Sequence, residues 1–161
     1  MKALLIIFFV SVLFLPIDVQ EARELYPMAI DDAEVADSLY KKLTAINLEN
    51  NATLYGYKGA AYTLKAKHAK GIKEKKTYFK EGVAMIESAI ALDPENVELR
   101  FVRLSVQENA PKIVNYREDL ESDKSFILKK YPQIKDPTIK ELIKKYSKDS
   151  KVFSEEEKAT L

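Results

Sequence analysis

The sequence of 161 residues contains no cysteine, a single histidine and only four glycines. The absence of cysteine excludes disulfides, thiolate nucleophiles and thiolate metal sites. The one histidine, His68, has no second histidine or cysteine with which to share a zinc ion, so we expect no metal site. Because His68 falls on the apolar side of a predicted helix, we predict a structural role for it.

Motifs for nucleophilic and phosphate chemistry are also missing. The chain contains neither G-x-S-x-G nor a P-loop, and its glycines near residue 59 lie inside a helical pattern. The net charge is +1, so bulk charge does not indicate a nucleic-acid partner. We therefore predict a protein without enzymatic activity and without a cofactor. An enzyme with a carboxylate-only site, as in glycosidases, is the alternative.

The N-terminus carries an apolar run of 13 residues, from Ala3 to Leu15, which follows a single lysine. This length is typical of the central region of a signal peptide and short for a membrane-spanning helix. We predict that residues 1–20 form a signal peptide, cut after Val19 or Ala22, with an uncleaved membrane anchor as the alternative. The protein would then be exported to the periplasm or cell envelope.

Apolar residues recur every three or four positions through most of the remaining chain. The pattern predicts six helices with short links and no strand, hence an all-α fold. One helix is expected to begin at Asp31 or Asp32 and another at Asp136 or Pro137, since carboxylates cap helix N-termini. Ser154 is expected to precede one further turn. We assign residues 21–150 to a single helical domain and residues 151–161 to a polar C-terminal tail.

A short pattern in the middle of the chain combines small and large apolar residues at steps of 4, 3 and 5. Its members are Gly82, Ile86, Ala89 and Pro94. Upstream, the stretch Gly59 to Tyr62 reads Gly-x-x-Tyr. Together these residues resemble one degenerate tetratricopeptide unit, in which small residues let paired helices approach and proline fixes the next turn. The usual Trp and Leu are missing, and 20 positions separate Tyr62 from Gly82.

This resemblance implies antiparallel helical hairpins stacked as a short, degenerate tetratricopeptide-like array. The chain as a whole is also similar to small exported helical proteins of the Bacteroidota, through "LYGYKGA", "DPENVELRFVRLSVQENAP" and "ESDKSFILKKY". The function implied is a non-enzymatic scaffold that binds a protein or peptide partner of the envelope in the groove of the array.

A lysine-rich segment, residues 65–80, carries seven lysines against one glutamate. We expect it to be an insertion between paired helices, with Gly71 ending the first helix at a positive φ. Lys73, Lys75 and Lys76 are candidate contacts for an anionic lipid or polymer surface. The alternative is a solvated loop that prevents aggregation. A membrane surface is thus a candidate partner, through either this segment or the N-terminus, beside the protein or peptide partner.

Two arginines, Arg100 and Arg103, are three positions apart and therefore share one side of a helix. Two interpretations stay open. They clamp the next helix by pairing with Asp119 or Asp123, or they face the groove and bind a partner's carboxylate. The nine tyrosines are expected to pack between helices with solvated hydroxyls.

Overall fold

Helices form nearly all of the regular structure. The computed structural model describes residues 17–161, so the apolar run Ala3–Leu15 and the predicted signal peptide or anchor built on it lie outside the described residues. Within residues 17–161 there is no strand, and the all-α prediction is confirmed. The helices are α1 (Val19–Ala29), α2 (Ala33–Leu43), α3 (Ala52–His68), α4 (Ile72–Leu92), α5 (Val97–Asn109), α6 (Leu120–Lys130), α7 (Pro137–Asp149) and α8 (Glu155–Lys158). None of these helices has the length and apolar character needed to cross a bilayer.

The predicted helix starts are confirmed by their caps. The Asp32 carboxylate accepts hydrogen bonds from the first-turn N–H groups of α2, and Asp136 does the same for α7. Ser154 forms a reciprocal capping box with Glu157 at the start of α8. The six predicted helices are α2 to α7, and α8 is the predicted further turn.

Helix α1 lies partly inside the segment that the sequence assigned to a signal peptide. Asp18 caps it by accepting from the Glu21 N–H, and Ile17 is buried in the core. The boundary at residue 20 is therefore wrong as a boundary of the folded domain, because α1 begins at Val19. A cut after Val19 or Ala22 would remove both the cap and Ile17.

The odd-numbered helices form a closed inner ring. Helix α1 packs against α3, and α3 packs against α5. The Phe101 and Tyr146 rings, with centroids 5.3 Å apart, join α5 to α7. A salt bridge of 2.7 Å between Arg23 and Asp136 joins α7 back to α1. Helices α2, α4 and α6 pack against these inner helices. Side chains of the inner helices meet across the ring, as in the hydrogen bond of 2.7 Å between Tyr26 of α1 and Ser105 of α5, and they occupy the space that an open array would leave as a groove.

The closest helix crossing is between α3 and α4. A Cβ added to Gly59 would lie 2.6 Å from the Gly82 carbonyl oxygen, and one added to Gly82 would lie 2.5 Å from the Gly59 carbonyl oxygen. Real side chains do not tolerate such distances, so both positions require glycine. The expectation that small residues let these two helices approach is confirmed at this pair.

The lysine-rich segment is helical rather than a loop. Helix α3 continues to His68 and α4 begins at Ile72, which leaves a link of only residues 69–71. The predicted insertion is therefore wrong, because lysine is a good helix former and a run of lysines does not end a helix. Gly71 is also not the predicted cap. Its φ is −89°, and it precedes α4 rather than closing α3.

The last eleven residues pack onto the domain, so the assignment of residues 151–161 to a polar tail is wrong. Phe153 and Leu161 are both buried. The Tyr131 hydroxyl donates to the Leu161 carbonyl oxygen, and the Lys144 ammonium donates to the same atom. Two apolar side chains at the ends of this segment are sufficient to fold it back on α6 and α7.

Replacement of Gly59 with alanine tests the α3–α4 crossing. Alanine in an exposed mid-helix position normally stabilises relative to glycine. Here the added methyl group meets backbone, so we expect Gly59→Ala to lower the free energy of unfolding by about 1–3 kcal/mol. Urea denaturation measures the effect.

The matched control is Gly71→Ala. A Cβ there has only the Glu74 Cβ nearby, at 3.8 Å. Loss of the glycine cap destabilises the helix, whereas alanine stiffens the unfolded chain and so stabilises the folded state. The two effects oppose each other, so the free energy of unfolding of Gly71→Ala should change by less than about 0.5 kcal/mol. Equal effects of the two substitutions would contradict the close crossing.

Candidate binding surface

Arg103 and Asp123 form a buried clamp between α5 and α6. The Arg103 Nε and Nη2 atoms lie 2.7 and 2.8 Å from the two carboxylate oxygens of Asp123, and the Asp123 side chain is fully buried. Arg100 Nη1 adds a contact of 3.1 Å to Asp123. Arg103 also reaches Glu87 on α4, at 2.8 Å. The clamp interpretation is thus confirmed for both arginines, and Arg103 lies inside the protein.

A second charged cluster joins all four helices of the inner ring. Arg23 of α1 makes a bidentate pair with Glu98 of α5, at 2.8 and 2.7 Å, and contacts Asp136 before α7. The Tyr57 hydroxyl of α3 donates to the same carboxylate at 2.8 Å. Burial, followed by the Glu98 charge, raises the pKa of Tyr57 well above its usual value. These groups satisfy one another and hold the ring closed.

The buried carboxylates do not form a catalytic pair. Glu98 is bound by Arg23 and Asp123 by Arg103, and the two lie in separate hydrogen-bonding networks. The S-x-x-K pattern of some catalytic serines occurs on α2, from Ser38 to Lys41. Ser38 is exposed, and the Lys41 ammonium is paired with Asp37 at 2.7 Å.

Within residues 17–161 there is no group of three His, Asp or Glu side chains arranged to hold a metal ion.

Three tyrosines meet on the outer surface, one each from α2, α3 and α4. We call Tyr40, Tyr62 and Tyr78 the tyrosine patch. The Tyr40 and Tyr62 ring centroids are 5.0 Å apart, and Tyr78 lies 6.3 and 6.0 Å from them in edge-on contact. All three are half-buried, so each keeps part of its ring accessible. Burial, with a smaller contribution from the Tyr40 hydroxyl, raises the pKa of Tyr62 to about 12.

A lysine is held across the patch. The Lys65 ammonium lies 5.0 Å from the centroid of the Tyr40 ring and 5.9 Å from that of Tyr78. Asp37 fixes it at 2.7 Å, and hydrogen bonds from Lys41 and Lys65 lower the pKa of Asp37 to about 2. The patch is therefore preorganised, since both its charge and its rings have fixed neighbours.

A small cavity of about 120 Å³ lies beside the patch. Tyr78, Lys65, His68 and Glu74 contribute to its lining. His68 is exposed at the end of α3, so its predicted position on the apolar side is wrong. The last turn of α3 has no buried residue beyond Ala66, which explains why a residue at apolar spacing faces solvent here.

The predicted site residues fall in two separate regions, one on the surface and one largely buried. Lys73, Lys75 and Lys76 are exposed on the first turns of α4, whereas Arg100 and Arg103 point toward α6. The tyrosine patch has no sequence signal, because its members lie 22 and 16 positions apart and meet only when three helices pack. The general expectation of solvated tyrosine hydroxyls is also wrong for Tyr57, whose hydroxyl is buried against Glu98.

Removal of the Asp123 carboxylate tests the clamp. Asp123→Ala leaves the Arg103 charge with only the partly exposed carboxylates nearby, so we expect the free energy of unfolding to fall by about 3–5 kcal/mol. Glu95→Ala is the control, because Glu95 is 72% exposed in its ion pair with Lys130. That change should leave the midpoint of the same urea titration nearly unchanged, because water screens an exposed ion pair. A loss at Asp123 as small as that at Glu95 would show that the clamp contributes little.

Asp136 should give acid sensitivity to the ring closure. Hydrogen bonds from the Thr138 hydroxyl and then from Arg23 lower the pKa of Asp136 to about 2. An unfolded aspartate titrates near about 3.9, so the stabilisation is complete above that pH and is lost as the pH falls toward 2. Asp136→Asn keeps a capping oxygen but not the charge, and should flatten the thermal stability profile between these two values. Asp149→Asn, an exposed site outside the ion pairs of residues 17–161, should leave the profile as steep as in the parent protein.

Comparison of the chain with protein-family models, with curated proteins and with solved structures gave no match. The tetratricopeptide likeness accordingly depends on the residues of the α3–α4 pair alone. Function has to be argued from the surface geometry of the domain.

Proposed function

We propose that this protein is a non-enzymatic helical scaffold that binds a protein or peptide partner in the bacterial cell envelope, and that the tyrosine patch is the contact surface. The observation that carries the proposal is the meeting of three half-buried tyrosines on the outer layer. Tyrosine supplies a large contact area at a low cost in side-chain entropy and is enriched at interface hot spots. Export is proposed from the apolar run Ala3–Leu15.

The inner ring favours an outer surface over a groove. Side chains of α1, α3, α5 and α7 meet in the interior, where Arg23, Glu98 and Tyr57 take up the polar centre. A peptide would have to displace a bidentate ion pair to enter. The tyrosine patch needs no such displacement, because its rings already face solvent in part.

The charges around the patch indicate an acidic partner segment. Lys65 is neutralised by Asp37, but Lys73, Lys75 and Lys76 stand exposed on the same hairpin with Glu74 as the nearest opposing charge in sequence. The adjoining cavity of about 120 Å³ is lined by Asp37, Lys65 and Glu74 among others, so it suits a small polar side chain. We infer a partner segment that places a small polar residue at the cavity and carboxylates toward the lysines.

Site-specific photo-crosslinking tests this function in cells of the native host. A photoreactive amino acid in place of Tyr78 should give one reproducible adduct. The same amino acid in place of Glu121, which is 79% exposed on α6, should not give it. With the captured partner purified, Tyr62→Ala should weaken binding at least about tenfold, since hot-spot truncations cost this much or more.

Glu121→Ala is the affinity control and should stay within about twofold of the parent protein. Adducts of equal yield at positions 78 and 121 would count against the proposal. So would an unchanged affinity of the Tyr62→Ala variant for the captured partner.

A further inference from the structure

The tip of the α3–α4 hairpin presents an isolated apolar side chain. Ile72, the first residue of α4, is 85% exposed. It belongs to no part of the core, and the residues on both sides of it are exposed as well. We call residues 67–76 the hairpin tip. An isoleucine in this position contributes nothing to packing within residues 17–161.

Lysines surround this isoleucine. Lys73, Lys76 and Lys80 follow one another at steps of three and four positions on α4, so they share one face of the helix. Ile72 lies four positions, or about one turn, before Lys76, at the edge of this lysine face. None of these three lysines forms an ion pair within the described part of the chain. Lys70 in the link adds a further exposed charge. The tip therefore combines one exposed apolar side chain with several unpaired positive charges.

We propose that the hairpin tip docks on the surface of an anionic phospholipid bilayer, with Ile72 at the boundary of the acyl region and the lysines at the phosphates. Basic residues near an anionic leaflet are attracted to it, and their long apolar stems let the ammonium groups reach the headgroups beside an inserted side chain. A soluble acidic polymer without apolar groups uses the charges but gains nothing from the protruding isoleucine. The combination of the two features selects the bilayer.

The tip lies at the opposite end of α1 from Ile17, the first residue that the structure describes. The Lys67 ammonium donates to the Ile30 carbonyl oxygen, just after the C-terminal end of α1. Ile17 lies at the other end of α1, which is about 16 Å long at 1.5 Å per residue. The tip therefore lies near the C-terminal end of α1, away from Ile17. The proposal goes beyond the proposed function, since it shares Lys73 and Lys76 with that surface but uses neither Tyr40 nor Tyr62.

Vesicle partitioning of the full chain tests the proposal. Sedimentation with vesicles of phosphatidylcholine alone measures any contribution of the apolar N-terminal run. The increase on vesicles that also contain phosphatidylglycerol measures the contribution of the charges. We expect Lys73→Gln with Lys76→Gln to lower this anionic increment about 25-fold, which is about fivefold for each lysine. Lys129→Gln with Lys135→Gln removes the same charge from exposed sites elsewhere and should change it less than about twofold.

A second pair of variants tests the apolar contact. Ile72→Ser should lower binding to the anionic vesicles about fivefold, because part of one side chain no longer leaves water. Ile113→Ser is the matched control, since Ile113 is 93% exposed in the short 3-10 helix Lys112–Val114, and it should leave binding unchanged. Circular dichroism checks that all variants keep their helix content.

Three results would overturn the proposal. One is an anionic increment that is unaffected by the lysine substitutions at the tip. Another is equal loss in the Ile113→Ser and Ile72→Ser variants. The third is loss with the lysine pair but not with Ile72→Ser, accompanied by equally tight binding of soluble polyphosphate, which would assign the tip to polyanions in general. The Tyr62→Ala variant should bind vesicles like the parent protein. Failure of the vesicle test can therefore be distinguished from failure of the proposed partner surface.

Discussion

The bidentate pair between Arg23 and Glu98 is the interaction on which the closed architecture depends. Glu98 is buried, and a carboxylate out of water is strongly unfavourable unless a cation and further donors reach it. The cation comes from α1, 75 positions earlier in the chain, and the second donor is Tyr57 of α3. Arg23 continues to Asp136 at the start of α7. Helices α1 and α3 must therefore be in place beside α5 before the Glu98 charge is satisfied, which makes α1 an integral part of the domain.

Closure of the ring determines where a partner can be accommodated. In an open stack of helical hairpins the inner helices offer a concave surface. Here Tyr26, whose hydroxyl bonds Ser105 across the ring at 2.7 Å, and the Arg23 cluster take up that space. Accessible aromatic area is left on the outer layer, where α2, α3 and α4 meet. The same interior packing that gives the domain its core is therefore the reason why the proposed contact surface lies on the outside.

The helices and their caps were predictable because their signals are local. Asp32 and Asp136 act on N–H groups two or three residues away, and the apolar stripe repeats within each helix. The clamp at Asp123 was also predictable, since its partners lie on the preceding helix. The ring, the tyrosine patch and α1 were not. They depend on contacts between distant segments, and α1 directly follows an apolar run whose composition indicates a different kind of segment.

The α3–α4 hairpin carries both proposed surfaces, and its length is the feature that packing leaves unexplained. Helix α4 has 21 residues, against 11 in α2, so it extends about 15 Å further at 1.5 Å per residue. The crossing at Gly59 and Gly82 fixes the two helices against each other, and Lys65 with Asp37 ties the hairpin to α2. Beyond these contacts the first nine residues of α4 contain no buried side chain. Tyr78 and Phe79 are half-buried, but the six residues before them, Ile72 to Thr77, are all exposed. An exposed helix end of this kind adds little to stability. Its lysines and Ile72 are better explained by a surface that meets them from outside the molecule.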